Sequence, residues 1–122
     1  MAQRNEDKKP SLSLRATPPV GFSPLKVRLV VEVRDGANDA VDFYCPAIEW
    51  EWGDGVTSEM SQDCAPHEPG KSEIVRRYSV EHTFRDEGNF TVRFRLKQKN
   101  RVVASTSVQV NVRAGARDDG ER

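Results

Sequence analysis

The stretch Trp50-Glu51-Trp52-Gly53-Asp54-Gly55 decides the fold. Trp50 and Trp52 are two residues apart, so in a strand they share one face, whereas Glu51 between them lies on the other. The strand must stop abruptly after Trp52, because glycine tolerates a positive φ and the Asp54 carboxylate can accept backbone N–H bonds across a bend. The stretch therefore predicts a strand with an aromatic face that ends in a tight turn.

Two segments further along the chain complete the pattern. Glu81-His82-Thr83-Phe84 reads as the end of a strand, and Gly88-Asn89-Phe90-Thr91-Val92 begins the next one. Together with the first stretch they resemble the PKD (polycystic kidney disease) domain, whose signature is an aromatic strand closing in W-D-F-G-D-G, followed by H-T-Y and then G-x-Y-T-V. The resemblance runs from about residue 11 to residue 112.

The resemblance implies an immunoglobulin-like β-sandwich in which the motif residues have structural roles. The two tryptophans are then core residues, and His82 is a hydrogen-bonded structural histidine rather than a catalytic base. The residues that the resemblance assigns to the core, the turn and the corner are Trp50, Trp52, Gly53, Asp54, Gly55, His82, Thr83, Phe84, Gly88 and Phe90.

Alternation of apolar and polar residues supports the same fold class independently. Residues 26–34 place Val27, Leu29, Val31 and Val33 on one face, and comparable alternation recurs in 72–84, 90–96 and 102–112. This pattern is typical of half-buried antiparallel strands and predicts an all-β sandwich of about seven strands in two sheets. A turn is expected at 21–24, an irregular loop at 56–71, and pairing of the Glu49 and Glu51 strand with the strand that carries Arg93, Arg95 and Lys97.

Composition limits the possible partners and compartments. The chain has 122 residues, with 19 basic and 19 acidic side chains, so no net field attracts nucleic acid or an anionic membrane. No apolar run approaches the ~20 residues that span a bilayer, so no membrane insertion is expected. We expect one domain at 11–113 with disordered tails at 1–10 and 114–122, in a secreted, periplasmic or cell-surface protein whose leader is not present in this chain.

Cys45 and Cys64 lie on either side of the Trp50 strand, and a disulfide between them is predicted. A bridge favours an oxidising compartment. Two reduced thiols, or a zinc site formed with His67, are the alternatives. The oxygen donors Asp35, Asn38, Asp39 and Asp42 raise the question of calcium, but turn formation explains them without an ion. The sequence predicts no metal and no cofactor.

Other chemical motifs have simpler explanations. The sequon Asn89-Phe90-Thr91 falls within the strand segment described above, and Arg93, Arg95, Lys97, Lys99 and Arg101 are expected to form a solvated face that Glu49 and Glu51 largely neutralise. No nucleophile elbow, phosphate loop or zinc-protease motif is present in the sequence, so the chain is predicted not to be an enzyme.

The function predicted is that of a non-catalytic extracellular binding or spacer module that mediates protein–protein interaction or adhesion, monomeric as an isolated domain. The expected contact surface is the loop at 56–71, because rigid scaffolds commonly display function on such loops. One alternative is a polysaccharide- or collagen-binding accessory domain of a secreted enzyme, with Phe43 and Tyr44 as exposed aromatics. Another is a structural subunit of a surface array that self-associates through edge strands. The binding-loop candidates are Asp63, His67, Glu68 and Lys71.

Overall fold

The computed structural model describes residues 9–115, and the predicted tails at 1–10 and 114–122 lie almost entirely outside this range. Within it the chain forms eight strands and one short 3₁₀ helix, Val41–Phe43. None of the described helices is long and apolar enough to cross a membrane. The strands are β1 (Ser11–Thr17), β2 (Val20–Phe22), β3 (Leu25–Arg34), β4 (Ala47–Glu51), β5 (Thr57–Met60), β6 (Arg77–Phe84), β7 (Gly88–Gln98) and β8 (Arg101–Arg113).

The strands form two sheets, which confirms the predicted all-β sandwich. One sheet has three strands in the order β1-β3-β6, and the other has five in the order β2-β8-β7-β4-β5. Every neighbouring pair is antiparallel except β2 and β8, which are parallel. The core between the sheets includes Trp50 and Trp52, which are 6% and 4% exposed. Trp50 lies edge-on to Phe94 with ring centroids 4.7 Å apart.

The predicted pairing of the glutamate and arginine strands is confirmed. Glu49 lies opposite Arg95 and Glu51 opposite Arg93 in the β4–β7 register. Arg95 contacts both glutamates, at 3.2 Å from Glu49 and 2.9 Å from Glu51. The hydrogen bond with Glu51 is the main reason that the pKa of Arg95 is raised above its ordinary value.

The first half of the segment at 21–24, expected to be a turn, belongs to strand β2, and the bend follows at 23–24. Pro18 and Pro19 have no N–H to donate, so the chain cannot continue beside β3 and crosses to the other sheet. There the Pro19 carbonyl accepts from the Asn111 N–H at 2.8 Å, and Ser23 N–H donates to the Arg113 carbonyl at 2.9 Å. Two prolines thus mark the point at which the chain changes sheets.

Two strand boundaries also differ from the prediction. The loop at 56–71 contains strand β5, whose four residues are all exposed and therefore show no apolar alternation. The strand expected at 72–84 begins only at Arg77. Before it, Lys71 and Ser72 N–H groups donate to the Glu68 carbonyl, at 3.0 and 2.9 Å, and Ile74 N–H donates to the Asn38 carbonyl at 2.8 Å. These bonds replace strand pairing in residues 71–74.

The chain enters and leaves the sandwich at opposite ends. Strand β1 begins at Ser11, opposite Arg34, where the β3–β4 connection departs. Strand β8 ends at Arg113, opposite Phe22 and close to the β2–β3 connection. We call the first of these the loop end, because it carries the long connections 35–46 and 61–76. The second is the motif end, because it carries the Gly53-Asp54-Gly55 turn and the corner at 85–87.

Candidate functional site

The motif end is one packed unit. The carboxylate of Asp54 accepts the Val56 N–H at 3.1 Å through Oδ1, which closes the turn, and the His82 Nε2–H at 2.9 Å through Oδ2. The His82 ring stacks on Trp52 with centroids 4.2 Å apart and an interplanar angle of 2°. The turn after β4 is therefore joined to β6 by a hydrogen bond and a ring stack.

Gly53 allows this close packing. Its φ is +85°, and a Cβ atom at this position would lie 2.7 Å from the Thr91 carbonyl oxygen. Gly55 also has a positive φ, of +90°, but a Cβ there would meet nothing within 4 Å. Of the two glycines, only Gly53 is required by both conformation and space.

The Asp54–His82 pair has the composition of a catalytic dyad, but within residues 9–115 no hydroxyl or thiol forms a hydrogen bond with His82. An open cavity of about 540 Å³ lies beside it and is lined in part by Thr83, Arg85 and Asp86. In the described chain, Asp54 is the one hydrogen-bond partner of the His82 side chain. Thr83, which also lines the cavity, makes no hydrogen bond with His82 within residues 9–115. The imidazole is held by Asp54, Trp52 and, edge-on at 4.7 Å, Phe84. These contacts fix the orientation of the imidazole ring.

The loop end is held together by a disulfide. Cys45 and Cys64 are bonded, with their Cα atoms 6.2 Å apart, so neither sulfur is a free thiolate for the zinc alternative. Next to the bridge, the Tyr44 hydroxyl donates to the Ala65 carbonyl at 2.7 Å, and the Tyr44 ring meets the His67 ring edge-on at 5.3 Å. The bridge and the tyrosine together fix the first half of the 61–76 connection.

Asp39 fixes the second half. Its carbonyl accepts from His67 Nε2–H at 2.6 Å, and its carboxylate accepts from the Gly70 N–H at 2.7 Å. Asn38 accepts from Arg76 at 2.8 Å through Oδ1, and Asp42 lies 3.8 Å from Arg101. The side-chain oxygens of Asn38, Asp39 and Asp42, three of the four donors that raised the question of calcium, therefore contact neighbouring protein groups. Across residues 9–115, no three His, Cys, Asp or Glu side chains cluster closely enough to hold a metal ion.

The four binding-loop candidates have different environments. His67 is half-buried against Tyr44 and Asp39, where it shapes the loop. Asp63, Glu68 and Lys71 are exposed, and Glu68 and Lys71 are 3.8 Å apart. The structure brings these three charged residues onto one connection, whose residues 61–66 and 68–71 are all exposed.

Arg76 organises this end, a role that was not predicted from the sequence. Its guanidinium donates to the backbone carbonyls of Val33, Asp35 and Gly36, at 3.4, 2.6 and 3.2 Å. Asp35 and Gly36 have positive φ values of 63° and 73°, which turn their carbonyls toward Arg76. The sequence contains one signal for this role. Arg76 occupies a position of the 72–84 alternation at which the neighbouring residues of the same face are apolar, and a charged side chain at such a position needs polar partners.

The exposed aromatic residue is Phe22 rather than the two that the sequence suggested. Phe43 is 1% exposed and belongs to the core, and Tyr44 is bound to the 61–76 connection, so neither forms the flat aromatic face that the polysaccharide alternative needs. Phe22 on edge strand β2 is 62% exposed.

A separate apolar cavity of about 420 Å³ lies between the free edges of β5 and β6. Tyr78 lines this cavity, and burial raises the pKa of its hydroxyl.

Comparison with known proteins adds a structural relationship. No family model matches the sequence, and no curated protein matches it. Among solved structures, the PKD domain of an M14-like peptidase from a Thermoplasmatales archaeon is similar, with a TM-score of 0.58 and 17% identity. The match covers 86% of this chain and 97% of that one. The chain has a PKD-type fold.

Other structures with this PKD-type fold are CARDB domains. A solution structure of a CARDB domain from Pyrococcus furiosus has a TM-score of 0.60 at 12% identity and covers 87% of this chain and 95% of that one. A crystal structure of that CARDB domain in complex with di-metal ions has a TM-score of 0.52 at 11% identity and covers 88% and 94%. At these identities the likeness describes the fold alone.

Proposed function

We propose that this PKD-type domain is a non-catalytic module that acts outside the cytoplasm and binds another protein through its loop end. The observation that carries the proposal is the rigid attachment of the 61–76 connection. The disulfide, the two bonds to Asp39 and the guanidinium of Arg76 hold a connection whose residues are mostly exposed. A loop ordered before binding loses less conformational entropy on association, which favours recognition of a defined partner.

The charges on this connection favour a polar protein surface as the partner. Asp63, Glu68 and Lys71 are exposed and of mixed sign. Interfaces of this composition gain specificity and association rate from complementary charges more than from buried apolar area. The disulfide supports an oxidising compartment.

The contacts of the reactive side chains support the non-catalytic role, because these side chains bind other groups of the domain. His82 and Asp54 bind each other within the motif end, His67 binds Asp39, and the two cysteines are oxidised. The archaeal structural neighbour is a domain of a peptidase, which supports the further proposal that this domain acts beside other domains as an adaptor or spacer.

Site-specific photo-crosslinking in the native secreted fraction tests the proposal. A benzophenone amino acid at Glu68 should form a crosslink to one protein, identified by mass spectrometry. The same label at exposed Ser13 on β1 is the matched control and should give none. The identified protein should then lose affinity for a Glu68→Lys/Lys71→Glu double variant, which keeps the net charge unchanged. Crosslinks from Ser13 alone, or unchanged affinity of the double variant, would refute a loop-end partner.

A further inference from the structure

The charges of the chain are segregated although its net charge is zero. From Gly88 to Arg117 the sequence contains no Asp or Glu, whereas the same stretch holds seven Lys and Arg residues. Most of this stretch is the β7–β8 hairpin, which occupies the middle of the five-stranded sheet. The outer face of that sheet therefore has an acid-free half formed by β7 and β8, next to the acidic strand β4.

Two arginines of this face remain without an acidic partner. Arg95 and Lys97 are neutralised by glutamates of β4 and β5. Glu51 lies opposite Arg93 in the register, but Arg95 binds it at 2.9 Å. Within residues 9–115, neither Arg93 nor Arg113 has a carboxylate within 4 Å. The face thus presents two guanidinium groups that are free to bind an anion.

A shallow hollow surrounds the first of them. It has a volume of about 280 Å³ and is lined by Arg93, Arg95, Ser105, Thr106 and Ser107. Ser107 lies opposite Arg93 and Ser105 opposite Arg95, so both hydroxyls share the outer face with the guanidinium groups. A planar guanidinium next to hydroxyl donors is well suited to a carboxylate or sulfate group, because each can supply N–H or O–H bonds to its oxygens.

The residues between Arg93 and Arg113 suit a chain rich in hydroxyl groups. Outward positions of β8 between them are Ser107, Gln109 and Asn111, and Gln109 donates to Thr91 at 3.2 Å. Phe22 on β2 lies beside Arg113 and presents an exposed ring at the sheet edge. Since Arg113 is six positions beyond Ser107, the two guanidinium groups lie roughly 20 Å apart along the strand. Amides, hydroxyls and an aromatic ring separate them.

We infer that this face binds an acidic polysaccharide, with a carboxylate or sulfate group in the Arg93 hollow and the sugar chain extending along β8 toward Phe22. Charge complementarity selects an anionic ligand, and the neutral row of hydroxyl and amide groups matches the donors and acceptors that a sugar chain presents along its length. The disulfide favours an oxidising compartment, such as the cell exterior, where a polysaccharide is a suitable ligand. This surface is separate from the loop end, so either proposal can fail alone.

Binding to immobilised polygalacturonate and dextran sulfate, with uncharged dextran as the control polymer, tests the inference. The domain should bind at least one anionic polymer at low salt and not dextran, and binding should weaken as salt is raised. Arg93→Gln should weaken binding by roughly tenfold, since a charged hydrogen-bonding partner is lost. Arg93→Gln/Arg113→Gln should weaken it further.

The matched control is Arg15→Gln. Arg15 is exposed on the other sheet, and within residues 9–115 it also has no acidic partner, so the substitution changes net charge equally. The affinity of the Arg15→Gln variant for the anionic polymer should equal that of the unmodified domain. The loop-end variant Glu68→Lys/Lys71→Glu should also bind this polymer with unchanged affinity. Equal losses for Arg15→Gln and Arg93→Gln, absence of binding to both anionic polymers, or equally tight binding of single-stranded DNA would overturn the inference. Circular dichroism of each variant excludes loss of fold as the cause.

Discussion

Removal of the Cys45–Cys64 bridge is the perturbation whose effect follows most directly from the structure. The bridge joins the approach to β4 with the connection that follows β5 and spans 19 positions of sequence. Neither cysteine belongs to the core, because Cys45 is half-buried and Cys64 is exposed. A Cys45→Ala/Cys64→Ala variant therefore removes a constraint on the unfolded chain while leaving the packing between the sheets intact.

The expected loss comes from loop-closure entropy. For a closed loop of this length the chain-entropy relation gives about 3 kcal/mol at 25 °C, which is a large part of the stability of a small domain. The bonds from Tyr44 to Ala65 and from His67 to Asp39 remain possible in the variant, so the native loop should still form when the domain is folded. The unfolding free energy should fall, whereas the fold should not change.

Urea unfolding followed by tryptophan fluorescence measures this loss. The variant should have a lower midpoint, and the unmodified domain in reducing agent should behave like the variant. Hydrogen exchange should show faster exchange at the Lys71 and Ser72 amides than at the β7 amides. A loss below about 1 kcal/mol would refute the reasoning, because the entropy of the 19-position loop would then not be what the bridge removes.

Three further predictions concern substitutions of single residues. Arg76→Met should lower the unfolding free energy by about 2 to 4 kcal/mol, because three backbone carbonyls lose a charged donor. Urea titrations measure this loss, and a loss no larger than that of Arg77→Met, on the exposed side of β6, would contradict the prediction. Gly53→Ala should lower the melting temperature clearly more than Gly55→Ala, since only at Gly53 would a Cβ meet a backbone oxygen, at 2.7 Å; equal shifts would argue against the close approach. Burial raises the pKa of Tyr78 above its ordinary value of 10.0, so the folded state keeps a proton that the unfolded state loses. The unfolding free energy should therefore fall as pH rises through about 10, and the fall should be smaller in Tyr78→Phe, as measured by urea unfolding at several pH values; identical pH dependence would exclude this contribution.

The sequence was most informative where one face of a strand is buried. Strands β4 and β7 alternate regularly because each has one face in the core, and Trp50 and Trp52 carry that pattern into the turn. Strand β3 follows the same alternation except at Val30, which is also buried. The register of β4 against β7 was also predictable, because charges of opposite sign occur at matching intervals on the two strands.

The same reasoning could not find elements whose partners are distant. Strand β5 has no buried residue, so nothing in its composition distinguishes it from a loop. The role of Arg76 depends on carbonyls of the β3–β4 connection that are far away in sequence. Phe22 was missed because apolar residues are expected inside, and only the sheet change after Pro19 places it on the surface.

The sandwich has a direction along the polypeptide. The chain enters beside Gly36, where Pro10 is in close contact, and leaves beside Ser23 after a final strand of 13 residues, which spans roughly 40 Å. Residue 9 therefore lies at the end that carries the disulfide-bonded connections, and residue 115 lies at the end that carries the tryptophan turn. The loop end, where we propose that a partner binds, therefore lies beside the chain entry and on the opposite side of the sandwich from the chain exit.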